Sequence, residues 1–215
     1  MPSARLIRFA FKPVVFAAAL APLGWLSYGA VTASLGANPI EAITHRTGDW
    51  TLRFLLMTLA VTPLRTFTGW NWLVKFRRML GLFAFFYGCL HLLTYVWLDK
   101  FFSWGEIVHD IPRRPFITVG AFAFALLVPL AATSTAGMIR RLGGRNWRAL
   151  HRLIYAAAIA AVVHYWWLVK ADVSMPRYYA LTLGALLAAR LFVAVGRTRR
   201  ITPMPKSRAS TSATR

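Results

Sequence analysis

Acidic residues are scarce. There are 6 Asp and Glu in 215 residues, against 26 Lys and Arg. Charged residues of both signs amount to 15%, where a soluble domain carries roughly 25%. Cys89 is the one cysteine, so no internal disulfide can form. No G-x-G-x-x-G stands after a strand-like run, so a dinucleotide fingerprint is missing. No Asp or Glu falls inside any long apolar run. That removes the carboxylates a secondary transporter would place near the bilayer midplane, and leaves such a transporter, or a cofactor-free membrane scaffold, as the weaker alternative readings. What is abundant is apolar: 58% of residues, with 9 Trp and 15 Phe, enough to exclude intrinsic disorder. The net charge of +20 would suit a nucleic-acid binder. Such a protein spreads its cations over a soluble fold, and here they are separated by long uncharged runs. No nucleic-acid partner is expected.

The apolar runs cover 14–35, 54–67 (with an outer end reaching back towards Trp50), 79–98, 116–133, 153–169 and 178–195. A span needs roughly 17–25 apolar residues. The runs lack the alternation of barrel strands and are read as helices, which satisfy their own backbone groups in lipid. The first run is longer than the apolar core of a cleaved signal peptide. The connections alternate in charge. Eighteen cations and no acid fall at the N-terminus (Arg5, Arg8, Lys12), in the second connection (Arg65, Lys75, Arg77, Arg78), in the fourth (Arg140, Arg141, Arg145, Arg148, Arg152) and in the tail. All six acids lie in the other three connections and their flanks, and Arg190 lies inside the sixth run. By the positive-inside rule the chain is an all-α integral membrane bundle of six transmembrane helices with both termini cytoplasmic. It divides into a cytoplasmic N-terminus (1–13), a transmembrane domain (14–196) and a basic tail (197–215), whose Ser, Thr, Pro and basic composition predicts disorder.

Five histidines remain to be placed. His45 and His109 lie in outer connections; His91, His151 and His164 lie in or beside spans three and five. An ionisable group inside a membrane is costly and marks a functional site by default, and neutral imidazole is a common axial ligand of haem iron. His91 is eight residues before Asp99, about 12 Å below the outer end of its span, and His164 is six before Lys170, about 9 Å below its own. Spans three and five run in the same direction, so the two imidazoles share a level in the outer half, as a haem clamped between two helices requires. Gly81 and Gly88, seven apart, would let a macrocycle approach the backbone. His151 lies thirteen residues before His164, at the inner end of span five. It is a candidate for a second haem whose propionates Arg148 and Arg152 would pair. On an ideal helix the two rings point about 140° apart, so facing one partner needs helix irregularity or an unwound first turn. Span three offers Arg77 rather than histidine at that level, and arginine, always protonated, is a poor iron ligand.

The stretches GANPIEAITHRTGDWTLRFLLMTLAVTPLR, RRMLGLFAFFYGCLHLLTYVWLD, AATSTAGM and WRALHRLIYAAAIAAVVHYWWLVK resemble the ferric-reductase-like transmembrane superfamily. More closely they resemble the MsrQ family, the haem-binding membrane subunits of the bacterial periplasmic protein-methionine-sulfoxide reductase system. The similarity runs from residue 36 to residue 170. It implies a multi-pass protein of the bacterial inner membrane holding one or two b haems, with His91, His164 and His151 as ligands, and an association with FMN. His45 stands in a family-like HxTG loop and is given no ligand role. Arg77, Arg78, Arg148 and Arg152 are expected to serve cofactor anions. The chain is too short for the soluble flavin and nicotinamide domain of the oxidases in that superfamily, so electrons would come from the quinone pool or a cytosolic flavin reductase. They would leave to a periplasmic molybdopterin-containing catalytic subunit that reduces methionine sulfoxide in oxidised proteins. The expected role is electron transfer, not catalysis on the substrate.

Overall fold

A computed structural model describes residues 2–201, with the side chains at 4 and 196–201 outside the description. Residues 202–215, most of the tail, lie outside the described residues. Among the described residues, eight helices of ten residues or more carry the fold: α1 (Lys12–Val31), α2 (Pro39–Thr68), α3 (Val74–Leu93), α4 (Trp104–Arg113), α5 (Pro115–Ala132), α6 (Ala136–Leu150), α7 (Leu153–Leu168) and α8 (Ser174–Ile201). A π-helical stretch, Ile7–Phe11, leads into α1, and another, Thr94–Asp99, continues α3. There is no strand among the described residues. Each of the six apolar runs falls mainly on one helix, the first running on into the turn after Val31 and the third into the π-helical stretch after Leu93. Among the described residues, four helical segments are long and apolar enough to cross a membrane: Ile7–Val31, Asn71–Asp99, Pro115–Ala132 and Ser174–Val195. α7 is also apolar but has only 16 residues, about 24 Å of helix.

Two differences from the sequence expectation concern the connections. The connection between the first two apolar runs is largely helix. α2 starts at Pro39, where Asn38 accepts a hydrogen bond from the Glu41 N–H at 3.2 Å and donates to its carboxylate at 3.0 Å. This is a reciprocal N-cap, with proline at the first helical position, where its missing N–H costs nothing. The HxTG segment, read as a loop, is therefore a turn of α2. The third and fourth connections also hold the short helices α4 and α6, whose charged faces concealed their periodicity among Arg, Asp and Glu. α6 is broken at Gly143, which takes φ 72°, a left-handed conformation open to glycine. α4 is tethered by Asp110, which accepts from Lys100 at 2.7 Å and from Tyr95 Oη at 3.2 Å. The Lys100 ammonium holds the Asp110 carboxyl below its usual range.

α2 packs along α3, α5 along α7, and α8 against α2 and α7. Leu55 and Leu59 of α2, Ala84 of α3, and Ala157 and Ala158 of α7 are fully buried. Small residues at such contacts allow close backbone approach, the usual packing device where lipid removes a hydrophobic drive between helices. Large apolar side chains also face outward, among them Phe9, Leu181 and Phe192, as a lipid-facing surface requires.

Two polar contacts repair the helix backbones. Pro63 lacks the N–H that would bond the Leu59 carbonyl one turn earlier. Arg190 of α8 supplies it instead: Nε and Nη2 donate to Leu59 O at 2.9 and 2.6 Å, and Nη1 donates to Tyr155 Oη at 2.7 Å. In α1, the Tyr87 hydroxyl donates to Ala19 O at 2.9 Å and accepts from Leu23 N at 3.2 Å, bridging two groups that are partners in an unbroken helix. The first contact makes a prediction. Arg190→Leu should destabilise the bundle by about 1–3 kcal/mol, the cost of a buried unmet acceptor. In a Pro63→Ala background, where the N–H returns, the same change should cost clearly less. Thermal unfolding of the four proteins in one detergent measures this; equal costs in both backgrounds would refute the pairing.

Candidate functional site

His91 sits near the end of α3 and His164 near the end of α7, and the structure brings the two rings together. Their centroids are 6.0 Å apart with planes at 74°. His91 Nδ1 meets the Thr44 carbonyl of α2 at 2.9 Å, and His164 Nδ1 meets the Phe116 carbonyl of α5 at 2.6 Å. A carbonyl can only accept, so both Nδ1 atoms carry the proton and both Nε2 atoms keep a free lone pair. This is the arrangement by which a second shell fixes a metal-ligating imidazole.

The seats of the two rings share one design. A Cβ at Gly48 would lie 3.1 Å from His91 Cε1 and 3.2 Å from its Nδ1; one at Gly120 would lie 2.7 Å from His164 Nδ1 and 2.9 Å from its Cε1. Gly48 is four residues after Thr44, and Gly120 four after Phe116, so each glycine stacks one turn beyond the carbonyl that takes the imidazole proton. Helices α2 and α5 thus each offer a carbonyl and, directly above it, a space without a side chain. Sequence reasoning missed both glycines; the available signal was a glycine inside a helix, where it costs roughly 1 kcal/mol against alanine. Gly81 and Gly88, expected to admit a macrocycle, instead face Thr58, and Thr51 with Phe124, at ordinary contact distances of 3.6 Å or more. They serve helix packing.

His151 is placed apart from this pair. It lies in the turn between α6 and α7, so the ideal-helix angle to His164 does not apply. Its Nε2 is 3.2 Å from Thr133 Oγ1, and that hydroxyl donates to Pro129 O at 2.6 Å. The hydroxyl proton being used, Thr133 accepts and His151 Nε2 donates. The Trp147 ring lies 4.0 Å from the His151 ring, and its Nε1 donates to Thr133 O at 2.9 Å. Burial, with Arg77 nearby, pulls His151 below its ordinary pKa. Arg77 is half-buried, whereas Arg78, Arg148 and Arg152 are exposed. His45 is exposed on α2, and His109 on α4.

No group of three or more His, Cys, Asp or Glu that could hold a metal ion occurs among the described residues. The His91–His164 pair offers only two donors. It suits a metal that brings its own equatorial ligands and takes an imidazole on each face. An imidazole nitrogen binds a metal at about 2 Å, and ring centres 6.0 Å apart put the two rings within reach of one ion.

Comparison with known proteins places this arrangement in a class. Residues 47–162 match the family described as ferric reductase like transmembrane component, and the chain belongs to that family of membrane proteins. Within it, the chain is 55% identical over 183 residues to the protein-methionine-sulfoxide reductase heme-binding subunit MsrQ of Herminiimonas arsenicoxydans, covering 84% of each chain. It is 58% identical over 185 residues to the MsrQ subunit of Rhodospirillum rubrum, covering 86% of this chain and 89% of the other. The chain therefore belongs to the MsrQ family. No solved structure matches it.

Proposed function

We propose that this protein is the haem-binding membrane subunit of a protein-methionine-sulfoxide reductase system, and that His91 and His164 are the two axial ligands of a b-type haem. The observation that carries the reading is the pair of Nδ1-anchored imidazoles 6.0 Å apart, with no cluster of three metal-binding side chains among the described residues. In this reading all six long helices span the bacterial inner membrane, both termini are cytoplasmic, and the pair lies in the periplasmic half.

A bound haem would supply one-electron redox chemistry; the protein residues set its conditions. Held between the neutral imidazoles of His91 and His164, the iron would be left without an open site, which would favour electron transfer over oxygen binding. The Thr44 and Phe116 carbonyls hold the rings in the tautomer that exposes Nε2. Phe85 and Phe124 stack at 5.7 Å and join α3, which carries His91, to α5, which carries the Phe116 carbonyl. The acceptor would be a periplasmic molybdopterin-containing subunit, docking where α4 is tethered by Lys100 and Asp110. The donor would be membrane quinol or a cytosolic flavin reductase. A second haem at His151 would have to displace the Thr133 hydrogen bond or use Nδ1, with Arg77, Arg78, Arg148 and Arg152 as the nearest cations for its propionates.

Protein purified from haem-replete cells should show a Soret band that shifts on reduction with dithionite. His151→Ala should keep the bis-imidazole low-spin signal, because that residue touches neither ring. Flat absorbance in the Soret region would refute the haem reading. Loss of the low-spin signal in His151→Ala would refute the assignment of the pair. A fall in haem-to-protein ratio with that signal intact would assign a second haem to His151.

A further inference from the structure

The seats of His91 and His164 agree at two positions and differ at a third. Each anchoring carbonyl, of Thr44 or of Phe116, is followed four residues later by the glycine against which the ring lies. Three residues after the carbonyl stands Thr47 in one seat and Val119 in the other. The two side chains have one shape and differ by a hydroxyl in place of a methyl group. On α2 that hydroxyl is used. Thr47 is 2% exposed, and its Oγ1 shares one proton between Ile43 O at 2.8 Å and Thr44 O at 2.9 Å. On α5 the valine has no proton to offer.

The Thr44 carbonyl therefore meets three donors: the Gly48 N–H of its own helix, one turn on, the Thr47 hydroxyl, and His91 Nδ1. A carbonyl oxygen has two lone pairs, so the three compete. The Phe116 carbonyl meets the Gly120 N–H of its own helix and His164 Nδ1, and no other side chain among the described residues donates to it. The bond lengths follow the load. The imidazole on the crowded carbonyl stands at 2.9 Å and the one on the uncrowded carbonyl at 2.6 Å.

We propose that Thr47 is a positioning residue: it loosens the hold of Thr44 O on the His91 Nδ1 proton and so raises the reduction potential of a haem held between His91 and His164. An acceptor that pulls on Nδ1–H moves electron density to Nε2 and makes the imidazole a stronger metal donor. A stronger axial donor favours ferric over ferrous iron, which is how hydrogen bonds outside the ligands tune such a centre. By drawing on the same oxygen, Thr47 leaves His91 the weaker donor of the two, and His164, with its carbonyl undivided, the stronger. The α5 seat then holds the metal, and the α2 seat sets how readily it takes an electron. The effect on potential rests on the haem reading above; the unequal anchoring of the two rings does not.

The test exchanges the two side chains in the full haem-loaded chain in phosphatidylcholine nanodiscs and follows the bis-imidazole low-spin signal through a redox titration. Thr47→Val removes the hydroxyl and strands no acceptor, since both carbonyls keep their helix partners; the potential should fall. Val119→Thr places a hydroxyl one turn from Phe116 O; the potential should rise. Each change should move the reduction equilibrium about three- to tenfold, the weight of one modest hydrogen bond; tenfold is 59 mV for a one-electron couple. Thr47→Ser should keep the wild-type value, and the double exchange should return close to it. A packing effect would do the reverse, disturbing Thr47→Ser, which loses a methyl group, more than Thr47→Val, which keeps the shape. Shifts of one sign at both positions, or unchanged potentials with full haem, would overturn the role of Thr47. If Thr47→Val fails to hold haem, Val119→Thr decides alone, and no rise there overturns it. Wild-type protein without haem would instead refute the haem reading, and the tuning role with it.

Discussion

Alanine in place of His91 or of His164 should abolish the bis-imidazole haem signal, each substitution as completely as the other. In the proposed site the two Nε2 atoms are the donors found among the described residues, so either change would remove half of the protein's bonds to the metal. It also removes a contact: without its ring, the Thr44 or Phe116 carbonyl loses the imidazole N–H it accepts. The vacated space has the shape of an imidazole, so free imidazole added to either variant should partly restore the low-spin spectrum. Pyridine haemochrome content and the Soret and α-band positions measure the effect. Retention of full haem and an unchanged low-spin spectrum in both variants would show that the pair is not the ligand set.

Gly120→Ala should be nearly as damaging, and much more damaging than Gly48→Ala. A methyl group at 120 would lie 2.7 Å from His164 Nδ1, closer than real contacts allow. The ring cannot retreat without breaking its bond to Phe116 O, held at 2.6 Å. Loss of such an outer partner typically costs about 10–100-fold in metal affinity. At 48 the nearest approach is 3.1 Å, which a shift of a few tenths of an ångström relieves. Haem retention after dilution, and the midpoint potential of what remains, should rank wild type, Gly48→Ala and Gly120→Ala in that order. The opposite order would mean that the rings are not seated as described.

Much of this site was legible in the sequence because membrane helices convert residue count into depth. Counting from Asp99 and Lys170 was enough to put His91 and His164 at one level, since both helices rise about 1.5 Å per residue. Counting says nothing about rotation. It could not show that Thr44 and Phe116 present carbonyls to the two rings, that Gly48 and Gly120 leave room for them, or that Gly81 and Gly88 do not. It also misjudged the connections. α4 and α6 are helices whose faces are charged, and the start of α2 carries Glu41, His45, Arg46 and Asp49, so hydropathy registered all three as loop.

Arg190 illustrates the same limit from the other side. A cation inside an apolar run was visible, and so was Pro63 in another run. Their pairing was not, because the carbonyl that Pro63 leaves unpaired belongs to Leu59, and only the packing of α8 on α2 brings the guanidinium to it.

The amino-acid sequence alone determined the class of the molecule. Where apolar runs lie, where the cations fall and at what depth each histidine stands are properties of composition and helical rise, which hold whatever the neighbours are. The tertiary structure alone decided who faces whom: one imidazole against the other, each Nδ1 on a carbonyl of a third and fourth helix, His151 turned away to Thr133, and Arg190 on Leu59. Those choices depend on how each helix is rotated about its axis. In a bundle whose surface is apolar on every side, hydrophobicity does not fix that rotation; close packing and the need to satisfy each buried polar group do.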